Sequence, residues 1–314
     1  MKRGAASIFP ILLGVVAVAG RCAASPTPDE IAEKLQASLS QLDSLSYTAE
    51  CREKDDAECS ARLDWRERGD KCWLRFREWG GAGGEGFESR YSFDGERARR
   101  WSPPSSTVYG SRAPMEFASE IQNMQFITAP FDFVLNVEGR NPWLGPNLAQ
   151  LKSDETWKIF ARRSRVIGTE TRGGRECVVL RVDGGRPRFF KNLSTSFVVA
   201  LDPKAGFMPV AWKQFDGKAR LVSELEVVKS ADLKLPGGDM VTLPARLKVS
   251  FYAFDGIGGP KFYETPTNRQ YFDYRDVSAA PVADERFKID TDNATSLHDM
   301  DNKTTIDLNP PDNQ

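Results

Sequence analysis

From about residue 45 onward, apolar side chains return at every second position in one segment after another. Leu45, Tyr47, Ala49 and Cys51 fall to one side, then Cys59, Ala61, Leu63 and Trp65. Cys72, Leu74 and Phe76 continue the pattern, with Trp73, Arg75 and Arg77 facing the other way. Successive side chains of a strand point to opposite faces, so this period describes sheets buried on one face and wetted on the other. Turn signals separate the segments: a turn over 53–57 centred near Asp55, then Asp94-Gly95, 172–175, 202–206 and Asp216-Gly217. Asp-Gly suits a tight hairpin because both residues tolerate positive φ. The pattern predicts a mainly β (α+β) chain built from antiparallel hairpins.

The strands expected after Tyr91–Phe93 and its return to Trp101 are 157–167, 177–182, 196–201, 208–215 and 219–228. Two more follow at 247–253 and 268–277, the second read as the last. One helix precedes them all. Thr27 is a cap, Pro28 suits the first helical position, and Glu30 closes a capping box. Ile31, Leu35, Leu39 and Leu42 then share one helical stripe. Such a stripe packs on a core, and its polar side lacks the Lys/Arg belt of a membrane-surface helix.

Three further regions complete the division of the chain. Lys2 and Arg3 followed by the apolar run 8–19 read as a secretory signal over 1–24, too short to span a bilayer, with small residues around Cys22-Ala23-Ala24 for cleavage. Arg21 stands where a lipidation signal at Cys22 needs a small residue. A domain over 25–290 contains a proline-rich insert near 103–156, with helical candidates at 115–124 and 148–152. Residues 291–314 are poor in apolar side chains and read as a disordered polar tail. The expected location is the periplasm or cell envelope, or outside the cell.

The chemistry the residues allow is narrow. A net charge of −1 lacks the basic footprint of a nucleic-acid binder. The only histidine, His298, falls in the expected tail, which removes Ser-His-Asp and Cys-His catalysis. Asp94 with Glu96, or Asp216, could be advanced as the carboxylates of a hydrolase. Both aspartates precede glycine, however, and read as turn formers. The glycine run 80–84 is followed by no lysine and no helix start, so it is no phosphate loop. No cofactor is implied, and the cysteine spacing is wrong for zinc. Cys51, Cys59, Cys72 and Cys177 are disulfide candidates in an exported chain. A hairpin turning near Asp55 would set Cys51 opposite Cys59, leaving Cys72 and Cys177 to pair or stay buried thiols.

Aromatic residues crowd the expected strands, among them Trp65, Trp73, Trp101, Trp157 and Trp212. One sheet face then carries more apolar area than one helix can cover. Burial of apolar area is worth roughly 25 cal/mol per Å², so an uncovered remainder invites a lipid or acyl ligand. The expected lining residues are Leu63, Trp65, Leu74, Phe76, Tyr91, Phe93, Val249 and Phe251. This predicts a non-catalytic protein that binds a hydrophobic or acylated ligand, with peripheral membrane contact open to it; an uncleaved anchor and a lipidated Cys22 are the alternatives to a cleaved chain. The alternatives are an envelope structural or interaction protein with a filled core, and a carboxylate-dependent hydrolase.

Three stretches also resemble one family. The helix with Leu35, Leu39 and Leu42 runs directly into Leu45-Ser46-Tyr47-Thr48-Ala49. The hairpin Leu201-Asp202-Pro203-Lys204-Ala205-Gly206-Phe207-Met208-Pro209-Val210 is followed by Phe215-Asp216-Gly217-Lys218. Asp284-Glu285-Arg286-Phe287-Lys288-Ile289 closes the region. Together they resemble the LolA/LolB outer-membrane lipoprotein-sorting superfamily. The resemblance implies a curved, half-open antiparallel β-barrel with helices covering the concave face. It also implies an acylated partner such as a lipoprotein. The proline-rich insert, the four cysteines and the polar tail depart from that pattern.

Overall fold

A computed structural model of the protein describes residues 25–55, 57–79, 86–102, 105, 107–112, 126–135, 147–184, 195–256, 259–289 and 294–308. The expected signal, the run 80–85 and the helix candidate at 115–124 lie outside them. The chain starts with helix α1, Pro28–Leu39. Thr27 Oγ1 accepts the Glu30 N–H at 3.2 Å, and Glu30 Oε2 accepts the Thr27 N–H at 2.8 Å. This reciprocal cap satisfies two amides that the helix start would otherwise leave without partners. Ile31, Leu35, Leu39 and Leu42 are all buried.

Six strands follow as a meander: β1 Ser44–Arg52, β2 Ala61–Arg68, β3 Lys71–Glu78, β4 Phe87–Phe93, β5 Ala98–Trp101 and β6 Thr107–Ser111. Short helices interrupt at α2 Asp132–Leu135, α3 Asn147–Leu151 and α4 Asp154–Arg163. A second meander runs through β7 Ser164–Arg172, β8 Arg175–Asp183, β9 Thr195–Asp202, β10 Met208–Asp216, β11 Leu221–Lys234 and β12 Met240–Phe251. After a separate hairpin (β13 Ala253–Gly256, β14 Gly259–Phe262), strand β15 spans Asn268–Ser278. Two last strands are β16 Ser296–Asp299 and β17 Thr304–Asp307.

Fifteen of these strands form one open sheet, ordered β17-β16-β6-β5-β4-β3-β2-β1-β15-β12-β11-β10-β9-β8-β7. β15 joins the two meanders, pairing antiparallel with β1 (Cys51 opposite Phe272) and with β12 (Leu247 opposite Phe272). The earliest and one of the latest strands are therefore neighbours, a long-range pairing that sequence periodicity cannot reveal.

The register corrects several expectations. Cys51 lies opposite Ala61, and Cys59 sits in the connection before β2. All four described cysteines are free thiols. Trp157, expected on a strand, lies on α4, where Trp157, Phe160 and Ala161 fall on one buried stripe. Their spacing of three and four residues is that of one helical face, and it overrides the strand expected over 157–167. The strand begins only at Ser164. Asp94-Gly95 belongs to a four-residue turn rather than a two-residue one, since Phe93 pairs with Ala98.

Part of the expected tail is folded as well. β16 pairs in parallel with β6, Leu297 opposite Val108, and β17 pairs back onto β16. Ile289, Ala294, Trp101 and Val108 form a small apolar cluster there, with Leu297 packed against it. Four apolar side chains and a sheet edge sufficed where composition alone suggested too little to bury.

Candidate functional site

The inner face of the sheet is a continuous apolar surface. Tyr47 stands opposite Trp65, Ala49 opposite Leu63, Leu63 opposite Phe76, Trp65 opposite Leu74, Leu74 opposite Tyr91 and Cys72 opposite Phe93. Phe272 and Tyr274 on β15 and Leu247 and Val249 on β12 extend it. Phe197, Val199 and Leu180 carry it into the second meander. Six of the eight expected lining residues thus form one cross-strand patch on β2, β3 and β4. Val249 and Phe251 belong to the same core but lie on β12, three strands from β2 in the sheet order. At about 4.8 Å per strand they are roughly 14 Å away. All eight are buried except Phe251, which is half-buried against the core.

Their burial comes from a roof larger than the one amphipathic helix the sequence suggested. α1 packs against α4, and Gln36 Nε2 donates to Asp154 Oδ1 at 2.6 Å. Between them and the sheet lies the described part of the insert. Phe126, Ile127, Ala129, Phe131, Phe133, Val134, Leu135, Leu148 and Leu151 are each no more than 3% exposed. Phe126 meets Trp65 with ring centroids 4.8 Å apart, and Phe133 meets Phe160 at 5.6 Å. The signal for this in the sequence was the apolar run 126–135, broken by Pro130 and set in a proline-rich stretch.

Polar tips of the sheet's aromatic residues hold this roof. Tyr274 Oη donates to the Phe126 carbonyl at 3.1 Å, and Trp212 Nε1 to the Ala129 carbonyl at 3.1 Å. The Ile127 N–H donates to Tyr47 Oη at 3.3 Å. A buried backbone group without a partner costs about 1–3 kcal/mol, so these three side chains make burial of residues 126–129 tolerable. Within the roof, Asn147 Nδ2 donates to Thr128 Oγ1 at 3.0 Å.

Among the described residues of β2, β3 and β4, Glu67 is the buried carboxyl on this face, and it is only 1% exposed. It continues the Leu63, Trp65 alternation at the next inward position, so period two does place it inside. Its Oε1 accepts the Leu148 N–H at 2.5 Å, and its Oε2 accepts Trp65 Nε1–H at 3.2 Å. Burial pushes its pKa up to about 8, opposed by these hydrogen bonds and by Lys152. It fastens the start of α3 to β2. Cys72 stands directly opposite, and burial, then Glu67, raises that thiol well above its ordinary value.

The acidic candidates for hydrolysis hold turns. Asp94 Oδ1 accepts the N–H groups of Glu96 and Arg97, and Asp216 accepts those of Lys218 and Arg220 and pairs with the Arg220 guanidinium. Among the described residues no group of three or more His, Cys, Asp or Glu is placed to hold a metal ion. No described helix is long and apolar enough to cross a membrane. His298 lies on β16, its Nδ1 3.0 Å from Thr305 Oγ1.

Fold and site together define a mostly β protein whose open, curved sheet is roofed on its apolar face by helices. No family model matches the sequence, and no curated protein does. Among solved structures, this chain is similar to a DUF1329 family protein from Desulfovibrio piger, at 13% identity over 84% of this chain and 98% of that one, TM-score 0.46. It is also similar to a LolA superfamily protein from Nitrosomonas europaea, at 14% identity over 84% and 99%, TM-score 0.46. A third is an outer membrane lipoprotein-sorting protein domain from Vibrio parahaemolyticus, at 14% identity over 83% and 95%, TM-score 0.41.

Proposed function

We propose that this protein binds a hydrophobic or acylated ligand, without catalysis, between the inner face of its sheet and the helical roof, at the cell envelope. The observation that supports this reading is the way the roof is attached. Residues 126–129 are hung on the sheet by three side-chain hydrogen bonds, each worth about 1 kcal/mol net. Beneath them Leu63, Trp65, Leu74, Phe76, Tyr91 and Phe93 form an unbroken apolar patch, with Val249 and Phe251 at its far side. An acyl chain replacing roof side chains on that patch would exchange one apolar contact for another. The ligand class is therefore a single long hydrocarbon chain, carried free or on a lipidated polypeptide.

Thermal unfolding with fatty acids of graded length at excess tests the reading. A bound ligand stabilises by mass action, about 2.7 kcal/mol at a hundredfold excess over Kd. The expected result is a rise in Tm that peaks at one chain length. No rise at any length, together with no lipid released from the purified protein, would overturn it. A second reading has its own support: seven of the eight lining residues are buried under the chain's own roof. A scaffold with a filled interior would show no ligand effect and would hold a protein partner instead.

A further inference from the structure

The face of the sheet turned away from the roof carries an uneven charge distribution. Between β2 and β4 it presents Arg62, Arg66, Arg75, Arg77 and Arg90 against only Asp64 and Glu88, in a chain whose net charge is −1. The two carboxylates are shared: Asp64 pairs with Arg62 and Arg77, while Glu88 pairs with Arg75, Arg77 and Arg90. Acceptors run out first. Arg75 Nε and Arg77 Nε are shielded with no acceptor in hydrogen-bond geometry. Arg66 has no carboxylate of its own; it lies 4.3 Å above the Trp73 ring and donates from Nη1 to the Arg286 carbonyl at 3.5 Å, in the segment that crosses this side of the sheet. Arg68 and Lys71, by contrast, are already occupied by Asp284. Beside the field, directly after β3, Trp79 is 47% exposed.

We infer that this outer face of β2, β3 and β4 docks on a phosphate-bearing lipid bilayer. The forked guanidinium matches phosphate in a bidentate way that lysine cannot, and the field sets five arginines against two shared carboxylates. The groups are spread over three strands, about 10 Å across and 13 Å along them. That spacing suits several separate headgroups better than one small anion. An exposed indole is the side chain that settles at headgroup depth, with its ring in the acyl boundary and its N–H in water. The inference reaches beyond ligand binding, since it concerns the opposite side of the sheet and needs no occupant under the roof.

Co-sedimentation of the purified chain with vesicles tests it, comparing phosphatidylcholine alone with phosphatidylcholine containing phosphatidylglycerol. The expected result is binding only to the anionic vesicles, weakening as ionic strength rises past about 0.15 M, where charges are screened beyond about 8 Å. Arg62→Gln, Arg66→Gln and Arg77→Gln should each weaken it about fivefold. Arg162→Gln with Arg165→Gln, on α4 and β7, should leave it unchanged. Trp79→Ala changes a side chain that is 47% exposed and should weaken binding as well, so the test survives even if an arginine variant unfolds. Equal binding to both vesicle types, no binding to either, or equal loss in the α4–β7 control would overturn the inference. So would capture by soluble polyphosphate without any vesicle binding.

Discussion

Glu67 on β2 accepts the backbone N–H of Leu148 at the start of α3, tying together residues 81 positions apart inside the apolar core. The contact makes stability depend on pH in a direction opposite to that of most carboxylates. In the folded chain Glu67 titrates at about 8, against 4.5 when exposed. The folded state therefore holds its proton more tightly, and this contribution is complete below about pH 4.5. It is lost as pH rises through 8, up to about 5 kcal/mol in all. Glu67→Gln keeps an acceptor for Leu148 but sets an amide N–H2 against Trp65 Nε1–H, costing about 1 kcal/mol near pH 5. Urea unfolding at pH 5, 7 and 9 should show the native chain losing stability across the series and the variant nearly flat. Parallel slopes would show that Glu67 is not the titrating group.

Asp216 behaves in the opposite sense. Hydrogen bonds from Arg220 and from the turn's own backbone hold its pKa below 3.8 despite its burial. The stability it adds is present above pH 3.8 and disappears as pH falls further. Asp216→Ala should cost about 2 kcal/mol at pH 7 and little at pH 2, as read from denaturant midpoints at the two pH values.

Roof attachment can be weakened without opening the core. Tyr47→Phe and Tyr274→Phe each remove one hydroxyl and leave the ring in place, at about 1 kcal/mol apiece. Hydrogen exchange should then speed up at residues 127–135 well before it does in β1 or β15. Uniform acceleration across the chain would show that the roof and sheet open as one unit.

Truncation on the inner face should separate the two halves of the expected site. Leu63→Ala, fully buried between β1 and β3, should destabilise by about 2–5 kcal/mol. Phe251→Ala, half-buried at the end of β12, should cost distinctly less. Equal costs would mean that Phe251 is packed as tightly as the central patch.

Thiol labelling reads the cysteine assignment directly. Burial pushes Cys51 up to about 12 and Cys72 well above its ordinary range, so neither offers a thiolate at neutral pH. Cys59, partly exposed before β2, should alkylate first, with Cys51 and Cys72 following only on unfolding. A mass short of the alkylated thiols by the weight of paired hydrogens, under non-reducing conditions, would instead reveal a disulfide.

Local periodicity was enough to place α1, most hairpins and the inward identity of Leu63, Trp65, Leu74 and Phe76, because each depends on residues within one turn or one strand. Even Glu67 declared its position by alternation. What the sequence left undetermined depends on distant partners. α4 around Trp157 and the hairpin β16–β17 were misread because a helix stripe or a short strand becomes stable only against a surface supplied elsewhere. The junction of β1 with β15, and the capture of residues 126–129 by Tyr47, Trp212 and Tyr274, exist only once chain segments far apart in sequence meet. Side-chain alternation is a property of neighbouring residues. Which backbone groups lose water, and what replaces that water, is decided by the whole fold.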